Sequence, residues 1–141
     1  MKKFELTSET KINIFGKKLF RIKALISFGN VEAGETGGWV EKEENVNQSG
    51  DAWVSGNAEV YGNARVSGDA DYATIHGFGT QFRTTTFFRC KDKQVKVSCG
   101  CFYGTIPEFR EQVKKTRMGK IAEEYLMIAD LMEKHFAEEA K

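Results

Sequence analysis

The stretch SGNAEVYGNARVSGDA, residues 55–70, repeats one pattern every six residues. Gly50, Gly56, Gly62 and Gly68 are each followed by Asp or Asn and then by Ala52, Ala58, Ala64 and Ala70. Two residues beyond each alanine stand Val54, Val60, Val66 and finally Tyr72. Side chains alternate faces along a strand, so each Ala-x-Val unit turns its two apolar residues inward, while Gly-Asn or Gly-Asp supplies the permissive dihedrals of a corner. A six-residue period is too short for an antiparallel meander and predicts a β-helix of stacked coils. Upstream, Val40 and Val46 stand in phase with Ala52 and mark an irregular first turn of the repeat. The outward positions (Trp53, Glu59, Arg65 and Asp71, then Ser55, Tyr61 and Ser67) share no chemistry, which fits a solvated or oligomer-facing wall with Trp53 and Tyr61 as candidate contacts.

Working outward, TKINIF and KLFRIKALI flank Gly16-Lys17 and predict a hairpin that buries Ile12 and Ile14 with Phe20, Ile22, Ala24 and Ile26. After Tyr72, Gly77-Phe78-Gly79 reads as a loop. TTTFFRC and QVKVSCGCF then read as two strands joined at Lys91-Asp92-Lys93, a second hairpin that caps the open end of the β-helix. Thr105, Pro107 and Glu108 form a capping-box start for a first helix with Phe109 and Val113 on its apolar stripe. A second helix after Met118-Gly119 carries Ile121, Tyr125, Ile128, Met132 and Phe136 on one face, which packs either on the sheet or on another copy of the chain. The expected fold is mainly β with C-terminal helices: a short β-helix of hexapeptide repeats flanked by β-hairpins, then an α-helical hairpin. One domain holds all of it, as N-terminal hairpin 1–30, hexapeptide β-helix 31–73, capping hairpin 74–104 and helical tail 105–141.

The net charge of +1 conceals four blocks. Lys and Arg outnumber Asp and Glu seven to two over 1–30 and ten to three over 72–120; the acids lead nine to two over 31–71 and six to two over 121–141. That balance argues against general nucleic-acid binding and leaves a basic segment suited to a small anion. No apolar run approaches the roughly 18 residues of a membrane span, and the first residues carry no apolar signal core, so a cytoplasmic protein is expected. Three cysteines in such a chain fit reduced thiols.

The candidate site lies in GFGTQFRTTTFFR, residues 77–89. Phe78 and Phe82 offer flat apolar faces, Arg83 and Arg89 can grip phosphate or carboxylate, Thr84, Thr85 and Thr86 supply hydroxyls, and His76 stands at its edge. The competing reading is structural: Phe82, Phe87 and Phe88 close the core while the arginines reach acids of the repeat such as Glu59 or Asp69. Cys90, Cys99 and Cys101 lack the usual Cys-x-x-Cys knuckle and need His76 as a fourth ligand, so small buried thiols are favoured over a metal site. Neither His76 nor His135 shows an orienting partner in the sequence, which disfavours the acyltransferase chemistry that some hexapeptide scaffolds host. No catalytic residue, metal or cofactor is expected.

FRIKALISFGNVEAGETGGWVEKEENV, the hexads GNAEVYGNARVSGDA, TTTFFRCKDKQVKVSCGCFYGTIPEFREQVKKT and KIAEEYLMIADLMEKHF together resemble a group of small hexapeptide-repeat, polymer-forming-like accessory proteins of phages and prophages of Firmicutes. The resemblance implies a β-helix and the cytoplasm of an infected bacterium, and it transfers no functional residue. It further implies an anti-defence role by sequestration of a nucleotide-like immune signal; a homo-oligomer is expected separately, because about two coils stack too little core and the stripe from Ile121 to Phe136 offers a partner surface. The alternative is a protein-binding inhibitor or assembly module that uses the repeat wall and the C-terminal helix.

Overall fold

In the computed structural model the described residues are 2–13, 15–68, 71–78, 83–99 and 102–137. The chain forms two four-stranded sheets and two C-terminal helices. β1 (Phe4–Ile12), β2 (Lys18–Ala24), β3 (Thr36–Val40) and β4 (Glu59–Val60) make the first sheet in that order, antiparallel except for the parallel β3–β4 pair. β5 (Tyr72–Phe78), β6 (Arg83–Arg89), β7 (Val95–Cys99) and β8 (Phe102–Thr105) make an antiparallel meander, followed by α1 (Ile106–Thr116) and α2 (Gly119–Phe136).

The expected β-helix does not form. The hexads do turn Ala52, Val54, Ala58, Val60, Ala64 and Val66 into one core, all fully buried. Yet only two short parallel contacts join one pass of the chain to the next, Trp39–Glu59 with Val40–Val60 in one and Val46–Val66 in the other. No closed β-helix or solenoid is present among the described residues. Two-residue strands in so few passes cannot template one another, because each coil of a solenoid depends on a neighbour on both sides. The longer antiparallel β1–β2 hairpin supplies the missing partner by pairing with β3. Asn45 binds the two passes together: its Oδ1 accepts from the Glu41 and Lys42 amides, and its Nδ2 donates to the Gly62 and Ala64 carbonyls.

The first hairpin is present with a different buried set. A register shift between Leu6 and Thr10 puts two extra residues into β1, which keeps the face parity; Phe4 joins Ile22 and Ala24 inside, while Ile12 opposes Lys18, beyond the Phe20–Val40 end of the β2–β3 pairing, and is 71% exposed. Phe20 is half-buried and Ile26 is exposed; Ile14 lies outside the described residues. Leu19 is buried on the opposite face, beside Trp39 and Tyr61. Trp53 and Tyr61, expected on an outer wall, are also buried. Trp53 meets Phe28 and Phe4 edge-on, and Tyr61 donates a hydrogen bond to Ser98 Oγ at 2.9 Å and packs on Tyr103.

The second hairpin follows the sequence reading at the Lys91-Asp92-Lys93 turn, where Lys93 takes φ +74°, but the expected strand QVKVSCGCF is divided: β7 ends at Cys99, and Phe102 opens β8, which folds back antiparallel on it. Of the expected loop Gly77-Phe78-Gly79, Gly77 and Phe78 are instead the end of β5, which pairs with β6, and Gly79 lies outside the described residues. Successive residues of β6 then enter different cores. Phe88 packs with Cys90 on the hexad core, and Phe87 packs with Val97 under the helices. The sheet is therefore a middle layer rather than an end cap. Backbone bonds weld it to the hexads: Arg65 N–H donates to the Arg89 carbonyl and Lys91 N–H to the Asn63 carbonyl.

The helices form where the sequence places them. Thr105 and Glu108 exchange backbone-to-side-chain hydrogen bonds in a capping box, with Pro107 in the first turn. Tyr125, Ile128, Ala129, Met132 and Phe136 bury α2, and Ile106, Phe109 and Val113 bury α1, so the stripe packs on the sheet within one chain. Among the described residues no helix is long and apolar enough to cross a membrane.

Three glycines separate close packing from backbone conformation. A Cβ on Gly37 would lie 2.6 Å from the Trp53 ring and 2.7 Å from the Val54 carbonyl oxygen, whereas Gly56 meets nothing within 4 Å but sits at φ +61°. Gly68, although it holds the same place in its hexad, has neither constraint. Denaturant unfolding should show Gly37→Ala destabilised by about 1–3 kcal/mol, Gly56→Ala by about 1–2 kcal/mol, and Gly68→Ala unchanged to within about 0.5 kcal/mol. Equal losses at Gly56 and Gly68 would mean that the hexads are conformationally equivalent after all.

Candidate functional site

The structure disperses the residues proposed from 77–89. Thr85 and Thr86 are buried in β6. Thr85 Oγ1 donates to Cys99 Sγ at 3.1 Å, and Thr86 Oγ1 accepts from the Glu59 amide at 3.2 Å, joining the sheet to the hexads. Phe78 packs against the helix-side core. Arg89 Nε donates to Asp71 Oδ1 at 3.0 Å and its Nη2 to the Phe136 carbonyl at 3.0 Å, so it ties the end of the hexads to the end of α2. The structural reading of Arg89 thus holds, with Asp71 as its acid. Glu59 is taken by Lys11 at 2.7 Å, and Asp69 lies outside the described residues. His76 Nδ1 and Thr84 Oγ1 form an exposed pair at 2.9 Å. Phe82 and the side chain of Arg83 lie outside the described residues.

Arg89 also lines a groove of about 530 Å³. Arg89, Lys93 and Gln94 come from β6 and the turn after it, Pro107 from the start of α1, and Glu133 and Phe136 from the end of α2. The Arg89 guanidinium lies 5.4 Å from the Phe136 ring centroid. Two of the five guanidinium N–H donors serve Asp71 and Phe136, which leaves donors for a bound group. Glu133 already pairs with Arg110 Nη1 at 3.0 Å, which softens its repulsion of an anion. Of these residues, sequence reasoning singled out only Arg89 as a ligand contact. Lys93 gives a weak local signal as a turn residue, whereas nothing local connects Phe136 to a strand 47 residues away.

Of the two described thiols, Cys90 is buried and Cys99 is half-buried. Cys90 is buried against the hexad core, and burial pushes its pKa up to about 11. Cys99 accepts from Thr85, and Cys101 lies outside the described residues. Among the described residues, no group of three or more His, Cys, Asp and Glu side chains is placed to hold a metal ion. The Tyr61 and Tyr103 hydroxyls at the same junction are each held at about 12, burial being the largest cause. In comparison with known proteins, no family model matches the chain and no curated protein matches it.

Raised pKa values of groups that are neutral when protonated have one sign. The unfolded chain releases these protons first, near pH 8.5 for a thiol and 10 for a phenol. The stability they contribute is therefore complete below about pH 8.5 and is lost as pH climbs toward the folded values of about 11 and 12. Thermal melts should show a falling melting temperature over this alkaline window, with a smaller fall in Cys90→Ala. Mass-mapped alkylation at pH 8 should leave Cys90 unmodified until the protein unfolds.

Proposed function

We propose that the protein is a non-enzymatic binding protein that holds a small anion with a flat portion, of nucleotide type, in the groove between the β6–β7 turn and the ends of the helices. The observation that carries this reading is the placement of Arg89 beside the Phe136 ring at the wall of a groove of about 530 Å³. The guanidinium donors that Asp71 and Phe136 leave unused suit a phosphate, and the volume lies within the range of small-ligand sites. In a phage setting such a protein would sequester a nucleotide immune signal, as the family resemblance implies. A second reading, a module that works by protein contact, is favoured by the exposure of Met127 and Leu131 side by side on α2.

Small molecules released by denaturing the purified protein should include a phosphate- or carboxylate-bearing compound, identified by mass spectrometry. Lys93→Asn is the informative variant. Asn tolerates the positive φ of Lys93 while removing its charge, so the fold should persist and anion binding should weaken by about 1.5–3 kcal/mol. Absence of any released anion, together with no binding across a panel of nucleotides by calorimetry, would overturn the proposal.

A further inference from the structure

α2 has three longitudinal strips, and two are occupied. Tyr125, Ile128, Ala129, Met132 and Phe136 pack on the sheet and α1. Asp130 and Glu133 face α1, where Arg110 reaches them at 2.9 and 3.0 Å. The third strip runs Glu124, Met127, Leu131, Lys134, at spacings of three, four and three, which places the four side chains in one line. Met127 is 70% exposed and Leu131 56%. Among the described residues, neither Glu124 nor Lys134 has an ion-pair partner within the chain, while Arg110, Asp130 and Glu133 on the opposite flank are all paired.

We propose that this strip is the contact of a two-fold homodimer in which α2 packs antiparallel to α2 of a second copy. The order of the strip selects this occupant. An acid stands one turn before the apolar pair and a base one turn after it. A two-fold that reverses the helix sets Met127 against the second copy's Leu131 and Glu124 against its Lys134, with both contacts made twice. A parallel pairing sets Glu124 against Glu124 and Lys134 against Lys134, which like-charge repulsion disfavours. The position of α2 permits the approach: it packs on β5, one edge strand of the second sheet, while α1 lies over β7 and β8 towards the other edge and leaves the strip's flank open. The contact is narrow and its ion pairs are exposed, so association is in the micromolar range and weakens as salt rises.

The pairing does not rest on the groove, since none of the four strip residues lines it. Sedimentation equilibrium over micromolar concentrations should give a mass of two chains. Leu131→Glu should give one chain that melts where the parent does when diluted to the monomer, because the side chain it replaces is exposed and only the pairing is lost. Should Leu131→Glu fail to fold, Met127→Gln serves in its place, with the same expectation. Lys134→Glu alone should weaken pairing by roughly tenfold, and Glu124→Lys added to it should restore the dimer by exchanging the two charges. A parent protein that stays monomeric, a dimer untouched by the strip variants, or a double variant that fails to regain it would each overturn the proposal. A monomer that still binds nucleotides would refute the pairing alone.

Discussion

Phe87 and Phe88 are adjacent, both fully buried, and belong to different cores. Neighbouring side chains of a strand point to opposite faces, so this one dipeptide requires β6 to be covered on both sides. Antiparallel sheets commonly leave one face to water; here that option is closed. The hexads cover the Phe88 face and the helices cover the Phe87 face. Neither cover is self-sufficient, because the hexads pair through two short parallel contacts and helices of 11 and 18 residues gain most of their stability from tertiary packing. The middle sheet therefore gives the other two layers a common floor.

The same constraint decides the fate of the residues that look functional. Thr86 shares the parity of Phe88 and meets the hexads at the Glu59 amide, while Thr85 shares the parity of Phe87 and meets Cys99. Arg89 reaches from the Asp71 carboxylate to the last carbonyl of α2 and so spans two layers at the sheet's margin. A guanidinium in that position is held by two partners while it also lines the groove. Structural and binding roles are compatible for Arg89 in a way they are not for the buried threonines.

Some of this was legible in the residue order and some was not. The hexad period correctly marks Ala52, Val54, Ala58, Val60, Ala64 and Val66 as core, and the capping box and apolar spacing place both helices. Period alone did not show whether the passes would stack into a helix or be completed by another strand, since the alternation of faces is the same in both. Trp53 and Tyr61 show the limit most plainly: their outward phase is right for an isolated coil, but β1 with Phe28 covers one and the second sheet covers the other. The groove was invisible for a related reason, being assembled from a strand, a turn and two helix ends that are far apart in the chain.

The sequence by itself determined the local grammar: which residues of each short strand turn inward, where the turn at Lys91-Asp92-Lys93 falls, and which faces of α1 and α2 are apolar. These depend on dihedral preference and on periods of 2 and 3.6 residues, which act over a few positions. Only the tertiary structure decided what each face meets. The exposure of Ile12 at the hairpin's end, the extension of β5 through Gly77 and Phe78, and the use of Arg89 as a tie are settled by partners elsewhere in the chain. Pairing of this kind is fixed by mutual burial and hydrogen-bond satisfaction among distant segments, and no single segment carries that information alone.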